Sequence, residues 1–520
     1  MPVARVLGAT GGMRDMKYIG RAFALFFVPL FLVTAQLAKS QNEHSTTETV
    51  RIDVNAPAQP FPHFWEDMFG SGRAVLSLRD SYRQDLRAVK AITGFEYVRF
   101  HGIFDDDVGL YSENQSGEPV YNSSSVDQIY DGLLANGVRP YVELSFMPPQ
   151  LAATDIHQAF WYHPSVSPPK SWEKWDDLIT KFAKHLVNRY GINEVSQWYF
   201  EVWNEPNIDF WAGNPKQSTY YELYDHTARD IKRVSARLRI GGPSTAQAAW
   251  VSSFIAHAVQ NNVPVDFIST HVYGNDTADH VFGTNEDIPR ADMVCRAAKK
   301  VHDEVLSSAR PQLPVIFSEY NASYANEPDV TDSIFMGPWL ANTIRGCDGL
   351  TKMMSYWTFS DVFEEQGVIK TPFYGGFGLV AEGGVPKPSF NAFLLLHMLG
   401  RERIPVDSDS VLATRDARHK MEIAVWNYSA PEVTGNTKEV TLEFSGLHGR
   451  HKVLIYRLDA EHGNALETYE AMGKPSSPTQ QQYQQLRNAA KLGAPEEQKL
   501  NNNQITLRLP PKALDLVELR

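Results

Sequence analysis

The run Trp198-Tyr199-Phe200-Glu201-Val202-Trp203-Asn204-Glu205-Pro206-Asn207 decides how the rest of the chain is read. Its first six residues are aromatic or apolar apart from Glu201 and show no helical period, the pattern of a strand buried on both faces in a parallel sheet. The strand is expected to stop at Asn204-Glu205-Pro206, because proline cannot donate to a ladder. That leaves Glu205 at the carboxyl end of a buried strand, where barrel proteins carry their chemistry. Taken alone, the same tripeptide also reads as the cap of the next helix.

Outward from this run, strand-like and helix-like stretches alternate between about residues 50 and 400. The strand candidates are 64–69, 95–100, 139–146, 197–203, 238–242, 266–271, 315–319 and 353–359. Amphipathic stretches such as 82–92, 125–134, 172–189, 219–238, 291–308 and 332–347 separate them. Eight such units fit an α/β fold, a (β/α)8 TIM barrel with insertions. A doubly wound open sheet would want a glycine-rich phosphate loop after an early strand, and the chain has none. From residue 401 to 520 the texture changes to short alternating runs (421–428, 439–444, 452–457, 504–509) that predict a C-terminal antiparallel β-sandwich domain. A polar segment, 460–503, interrupts it and reads as a long ordered insertion. Residues 49–54 are expected to lend it a further strand.

The chain has 520 residues and a net charge of −12, with no lysine or arginine cluster, which argues against a nucleic-acid partner. The only two cysteines, Cys295 and Cys347, form no metal-binding spacing. They read either as a pair or as two separate buried thiols. No metal or organic cofactor is expected. Near the amino terminus, Lys17 and Arg21 precede an apolar run, 22–33, and then Thr34-Ala35-Gln36-Leu37-Ala38. This is the layout of a secretory signal peptide over residues 1–38, with Met16 as the natural start and cleavage after Ala35 or Ala38. The expectation is an exported protein, periplasmic or extracellular, with no membrane attachment after cleavage; homo-oligomerisation is left open.

A second apolar strand, Val315-Ile316-Phe317-Ser318, also runs into a glutamate, Glu319. Counting strands, Glu205 ends the fourth and Glu319 the seventh, so a closed barrel would bring both to one mouth. Two carboxyls so placed suit glycoside hydrolysis, in which one protonates the departing oxygen and the other attacks or directs water at the anomeric carbon. Other strand ends converge on the same mouth. His101 and His271 suit hydroxyl recognition, since a neutral imidazole both donates and accepts. Tyr273 is placed to hydrogen-bond Glu319, and Trp357 to floor a sugar ring.

The segments FWEDMFGSGRA (64–74), YVRFHGIFDDD (97–107), FEVWNEPN (200–207), FISTHVYG (267–274), FSEYNASY (317–324) and SYWTFSDVFEE (355–365) together resemble glycoside hydrolase family 39, in its β-xylosidase branch. The likeness runs on through 455–486 and so covers much of the puzzling insertion. It implies Glu205 as acid/base and Glu319 as nucleophile of a retaining double displacement, and Asn204 on the sugar 2-hydroxyl. His101, His271, Tyr273, Trp357 and Glu365 would surround the terminal sugar, although the adjacent Glu364 and Glu365 cannot be told apart by position alone. The implied partner is a xylo-oligosaccharide substrate. The alternatives are an α-L-arabinosidase or α-L-iduronidase-like hydrolase of the same family, or a non-catalytic glycan-binding barrel. Arg73 departs from the family pattern and is expected at the pocket rim, where it would admit a more decorated or charged glycan.

Overall fold

A computed structural model describes residues 46–520. The expected signal peptide and start site lie outside the described residues. Eight parallel strands close into a barrel: Met68–Gly70, Tyr97–Phe100, Arg139–Leu144, Tyr199–Val202, Arg239–Thr245, Phe267–Tyr273, Val315–Asn321 and Met353–Tyr356. All eight expected strands are present, each with its neighbours in sequence order around the ring. Met68, Tyr141, Tyr199, Phe267, Ile316 and Met353, near the amino ends of six of them, pack into a dry plug. The buried charged groups Arg99, Glu143, Glu201 and Glu319 follow the plug residues along their strands, toward the carboxyl-terminal end where a barrel carries its chemistry.

The fourth strand stops at Val202, earlier than Pro206 would enforce. Trp203 and Glu205 instead take left-handed backbone angles, φ +71° and +43°. Such angles in non-glycine residues cost about 1–3 kcal/mol each and collect where function fixes the backbone. The outer ring includes Trp172–Tyr190, Lys216–Val234 and Arg290–Leu306, each amphipathic and buried along one face. Pro388–His397, after the last strand, has no helical stripe in its sequence because it is buried all round, packed between the barrel and the adjoining sheet.

That sheet has seven strands, in the order Gln59–Pro60, Glu402–Ile404, Val411–Arg415, Met421–Trp426, Leu514–Leu519, Lys452–Leu458, Glu496–Lys499. Its two central strands are buried along their whole length. Leu412, Ala424, Trp426, Leu514 and Leu516 join the apolar core of the barrel side, while Ile423, Val425 and Val517 face a second, three-stranded sheet. The second sheet is Thr46–Asp53, Lys438–Ser445 and Gln504–Leu509. The sandwich is not wholly antiparallel as expected: Thr46–Asp53 runs parallel to Lys438–Ser445, which a strand arriving from the far end of the chain can do without a hairpin.

Within 460–503, helices Ala465–Ala471 and Gln480–Ala489 pack Ala465, Tyr469 and Leu486 on Phe373, Ala381 and Val385, which follow the last barrel strand. Cys295 and Cys347, from helices Arg290–Leu306 and Met336–Cys347, are bonded, with their Cα atoms 5.0 Å apart. Among the described residues no helix is long and apolar enough to cross a membrane.

Candidate active site

At the carboxyl ends of the strands lies a cavity of about 410 Å3, within the usual range for a small ligand. Glu205 and Glu319 both line it, and one carboxylate oxygen of each lies within 4.8 Å of the other. Asn204, His101, Tyr273, Trp357 and Glu365 line it too. Of the expected site residues, one is placed differently. His271 is fully buried and stands behind the two carboxyls, its Nδ1 2.9 Å from Glu205 Oε1 and 3.6 Å from Glu319 Oε1. It orients Glu205 and has no open face for a sugar hydroxyl.

The hydrogen bonds around His271 fix where the protons are. Ser318 donates its hydroxyl to Glu201 Oε1 (2.6 Å), a carboxylate already salt-bridged to Arg99. Its oxygen can then only accept from His271 Nε2, 3.1 Å away. Burial, followed by the nearby Arg99, drives the His271 pKa well below the ordinary histidine value, so the ring is neutral and carries a single proton. That proton sits on Nε2, which leaves Nδ1 bare. The 2.9 Å contact from Nδ1 to Glu205 therefore needs the proton on Glu205. Charge arguments agree: burial first, then Glu319 and Asp276, hold the Glu205 carboxyl well above the usual range.

Glu319 lives in a different field. Arg99 donates to Oε1 through Nη1 (2.7 Å), and the Tyr273 hydroxyl donates to Oε2 (2.6 Å). Burial pushes its carboxyl up, but Arg99, His101 and Tyr273 all pull against it. Among the described residues Glu205 has no cationic hydrogen-bond partner of its own. Of the pair, Glu319 ionises first and Glu205 keeps its proton, the division of labour that environment imposes on paired carboxyls.

Arg99 was not singled out by sequence, though an arginine inside the apolar strand Tyr97–Phe100 was the available signal. Completely buried, it binds Glu143 (2.7 Å), Glu201 (2.7 Å), Glu319 (2.7 Å) and Asn204 Oδ1 (3.0 Å). With Oδ1 so occupied, the Asn204 amide turns its Nδ2 donors toward the cavity. Glu143 also holds His101 Nδ1 (2.8 Å), so His101 Nε2 faces inward, 3.7 Å from Glu365 and 3.9 Å from Glu319. Arg99→Met should therefore strip three buried carboxylates of their counter-charge. The expected cost is at least about 3–5 kcal/mol, read as a large loss in the midpoint of denaturant unfolding.

Trp357 packs against the first strand because Gly70 makes room for it: a β-carbon there would sit 2.1 Å from the indole. The two adjacent glutamates separate clearly. Glu364 turns away to Arg79 (2.5 Å) and Arg73 (3.5 Å), whereas Glu365 enters the cavity, its carboxyl raised well above the ordinary range by burial and by Glu319. Arg73 corrects an expectation. Its guanidinium is spent on Asp107 (2.8 Å), Glu364 and the face of Tyr162 (4.6 Å), and it does not line the cavity. The glycosylation sequon at Asn321 is likewise inert, since Asn321 is buried and donates to the Trp357 carbonyl.

A (β/α)8 barrel with two strand-terminal carboxyls, one proton-bearing and one held by an arginine, in a sugar-sized cavity defines a glycoside hydrolase. The chain belongs to glycosyl hydrolases family 39, whose family model matches residues 48–502. A beta-xylosidase of Geobacillus stearothermophilus is 37% identical over 84% of this chain and 88% of its own length. One of Caldicellulosiruptor saccharolyticus is 36% identical over 86% and 92%. Among solved structures, a monomeric beta-xylosidase from Caulobacter crescentus CB15 superposes with a TM-score of 0.82 at 34% identity, covering 91% of this chain and 99% of that one.

Proposed function

We propose that the protein is a retaining, exo-acting β-xylosidase that releases terminal β-D-xylosyl units from xylo-oligosaccharides. The observation that carries the choice of sugar is the lining of the cavity: among the described residues it presents Glu205, Asp276, Glu319 and Glu365 and neither lysine nor arginine. A uronide would bring its own carboxylate into this field with no cation to receive it, since Arg99 is buried beneath and fully engaged. A neutral pentose meets no such penalty. The relatives named as beta-xylosidases, aligned over most of the chain, point the same way.

Glu319 attacks the anomeric carbon, the bond to the leaving oxygen breaks, and Glu205 delivers its proton to that oxygen. Once Glu319 is esterified its charge is gone, the Glu205 pKa falls, and Glu205 takes a proton from the water that hydrolyses the ester. Carboxyls about 5–5.5 Å apart belong to retaining enzymes and a gap of about 6.5–9.5 Å to inverting ones. The 4.8 Å bound between their oxygens supports retention. His101, Asn204 and Glu365 hold sugar hydroxyls over the Trp357 floor.

A panel of chromogenic glycosides tests this reading. The β-D-xyloside is expected to exceed the α-L-arabinosides and β-D-glucoside in kcat/KM, and the α-L-iduronide to be inert. Proton NMR of the first product should show β-xylose ahead of mutarotation. A preferred iduronide, or α-xylose appearing first, would refute it.

Export completes the proposal. The amino-terminal layout supports it, and so does the Cys295–Cys347 bond, because disulfides persist in oxidising compartments. Sequencing the secreted protein should find a start after Ala35 or Ala38; Met1 or Met16 would sink the idea.

A further inference from the structure

Beyond the sugar that is cleaved, one wall of the cavity is left without a task. It is built by the loop after the fifth strand. Ser244, near the end of that strand, and Gln247, Ala248 and Trp250 beyond it take left-handed backbone angles, φ +50°, +61°, +52° and +63°. None is glycine, and at about 1–3 kcal/mol each the turn persists only because its surroundings over-determine it.

Those surroundings are explicit. The Glu205 backbone N–H donates to the Ser244 carbonyl (2.8 Å). Asn207, two residues past Glu205, clamps Ala246 from both sides, accepting from its N–H (2.9 Å) and donating to its carbonyl (3.0 Å). Lys300 donates to the Ala248 carbonyl (2.6 Å) and Thr245 to that of Ala249 (2.6 Å). The strained turn is thus stitched to the segment that carries Glu205, and its one polar side chain lining the cavity is Gln247, whose Nε2 donates to His280 Nδ1 (3.2 Å).

Two further groups line the same cavity. Asp276 lines the cavity, held by the Tyr273 N–H (2.8 Å) and by Gln247, and its charge acts on Glu205. Tyr324 also lines the cavity but is 57% exposed, an isolated large ring at the mouth. It is not loose: its N–H donates to Asn275 Oδ1 (3.0 Å), and its ring stands edge-on to Tyr273 at 6.1 Å.

We propose that Gln247, Asp276 and Tyr324 form the binding site for the leaving-group sugar, the pyranose on the far side of the scissile bond. This rests on Glu205 being the acid, because the departing oxygen must lie within reach of its proton: the Gln247 turn is stitched to the Glu205 segment, the Asp276 charge acts on Glu205, and Tyr324 lines the same cavity where it is open to solvent. With its Nε2 donors turned to His280 Nδ1 (3.2 Å) and Asp276, Gln247 offers its carbonyl oxygen beside the Asp276 carboxylate, two acceptors that match a pair of vicinal hydroxyls, and an exposed aromatic face suits the apolar side of a pyranose ring. The site takes a neutral sugar and selects oligosaccharides over small alkyl or aryl xylosides.

The same site must receive the acceptor when a sugar replaces water in the second step. There the acceptor hydroxyl oxygen bonds to the anomeric carbon, the ester bond to Glu319 breaks, and the hydroxyl proton passes to Glu205. Two readouts follow from Gln247→Ala and Tyr324→Ala. The first is the ratio of kcat/KM for xylobiose to that for β-D-xylosyl fluoride, which has no leaving-group sugar. The second is partitioning of the glycosyl-enzyme, formed from the fluoride, between water and phenyl 1-thio-β-D-xyloside as acceptor.

Each variant is expected to lower both ratios about fivefold to tenfold, the effect of one lost polar or stacking contact. Tyr324→Ala removes an exposed ring and so keeps the test clear of folding failure. If both substrates fall together and the transfer ratio stands unchanged, the loop only positions Glu205 and the subsite is refuted. If the unaltered chain fails to turn over the fluoride, the glycosidase reading itself falls and takes this one with it.

Discussion

Glu319→Ala is expected to abolish turnover of β-xylosides, with kcat reduced by at least about 10^4-fold, since no other group stands where the covalent bond must form. The cavity left by the side chain keeps its donors: Arg99 and the Tyr273 hydroxyl still point at an anion site. Azide or formate should enter it and restore part of the activity toward a substrate with a good leaving group. Attack from that face in a single displacement inverts the centre, so the product must be α-D-xylosyl azide. An active Glu319→Ala variant, or a β-azide from it, would defeat the assignment of Glu319 as nucleophile.

Glu205→Ala should give the mirror result. Natural xylosides, whose alcohol leaving groups need a proton, are expected to lose about 10^2–10^4 in kcat/KM. A nitrophenyl xyloside leaves unaided, so its kcat/KM should fall far less. Without a base the second step becomes slow, and the glycosyl-enzyme should accumulate as a burst of nitrophenol and a mass increment on the protein. Azide now attacks that intermediate from the side Glu205 occupied, giving β-D-xylosyl azide. The pH profile separates the two residues as well. In the intact protein activity rises as Glu319 loses its proton and falls as Glu205 loses its own. Burial and the Glu319 charge hold Glu205 well above the ordinary range, so the falling limb should lie well to the alkaline side of a free carboxyl. In Glu205→Ala that limb should vanish. Equal losses on both substrates would refute the role of acid.

The frame of the site was legible in sequence because it is written in strand ends. Glu205 and Glu319 each close a run too apolar to be anything but a buried strand, and strand counting alone puts them at one mouth. Trp357, His101 and Tyr273 were found by the same rule. The roles that escaped depend on what lies across the barrel from a residue, which periodicity does not encode. His271 occupies a strand end like the others, yet its partners, Ser318 and Glu201, turn it inward. Arg99 reads as an ordinary charge until three carboxylates from other strands close round it. Arg73 is captured by Asp107 and Tyr162, a neighbourhood assembled from separate loops. Gln247 sits in a turn without glycine, so nothing in composition announces its left-handed backbone. The helix Pro388–His397 lacked a stripe because both of its faces are covered.

The parallel pairing of Thr46–Asp53 with Lys438–Ser445 imposes an order on how the protein is made. Arg51 and Glu443, joined across that pair, are 392 residues apart. A chain emerging from its amino terminus releases the first strand of this sheet before any of the barrel and must hold it unpaired while the barrel is synthesised. Val50 and Ile52, core residues of the sandwich, wait in the open for that interval. The three-stranded sheet can therefore close only after the whole barrel has been synthesised, so that a strand translated ahead of the barrel is among the later ones to find its place.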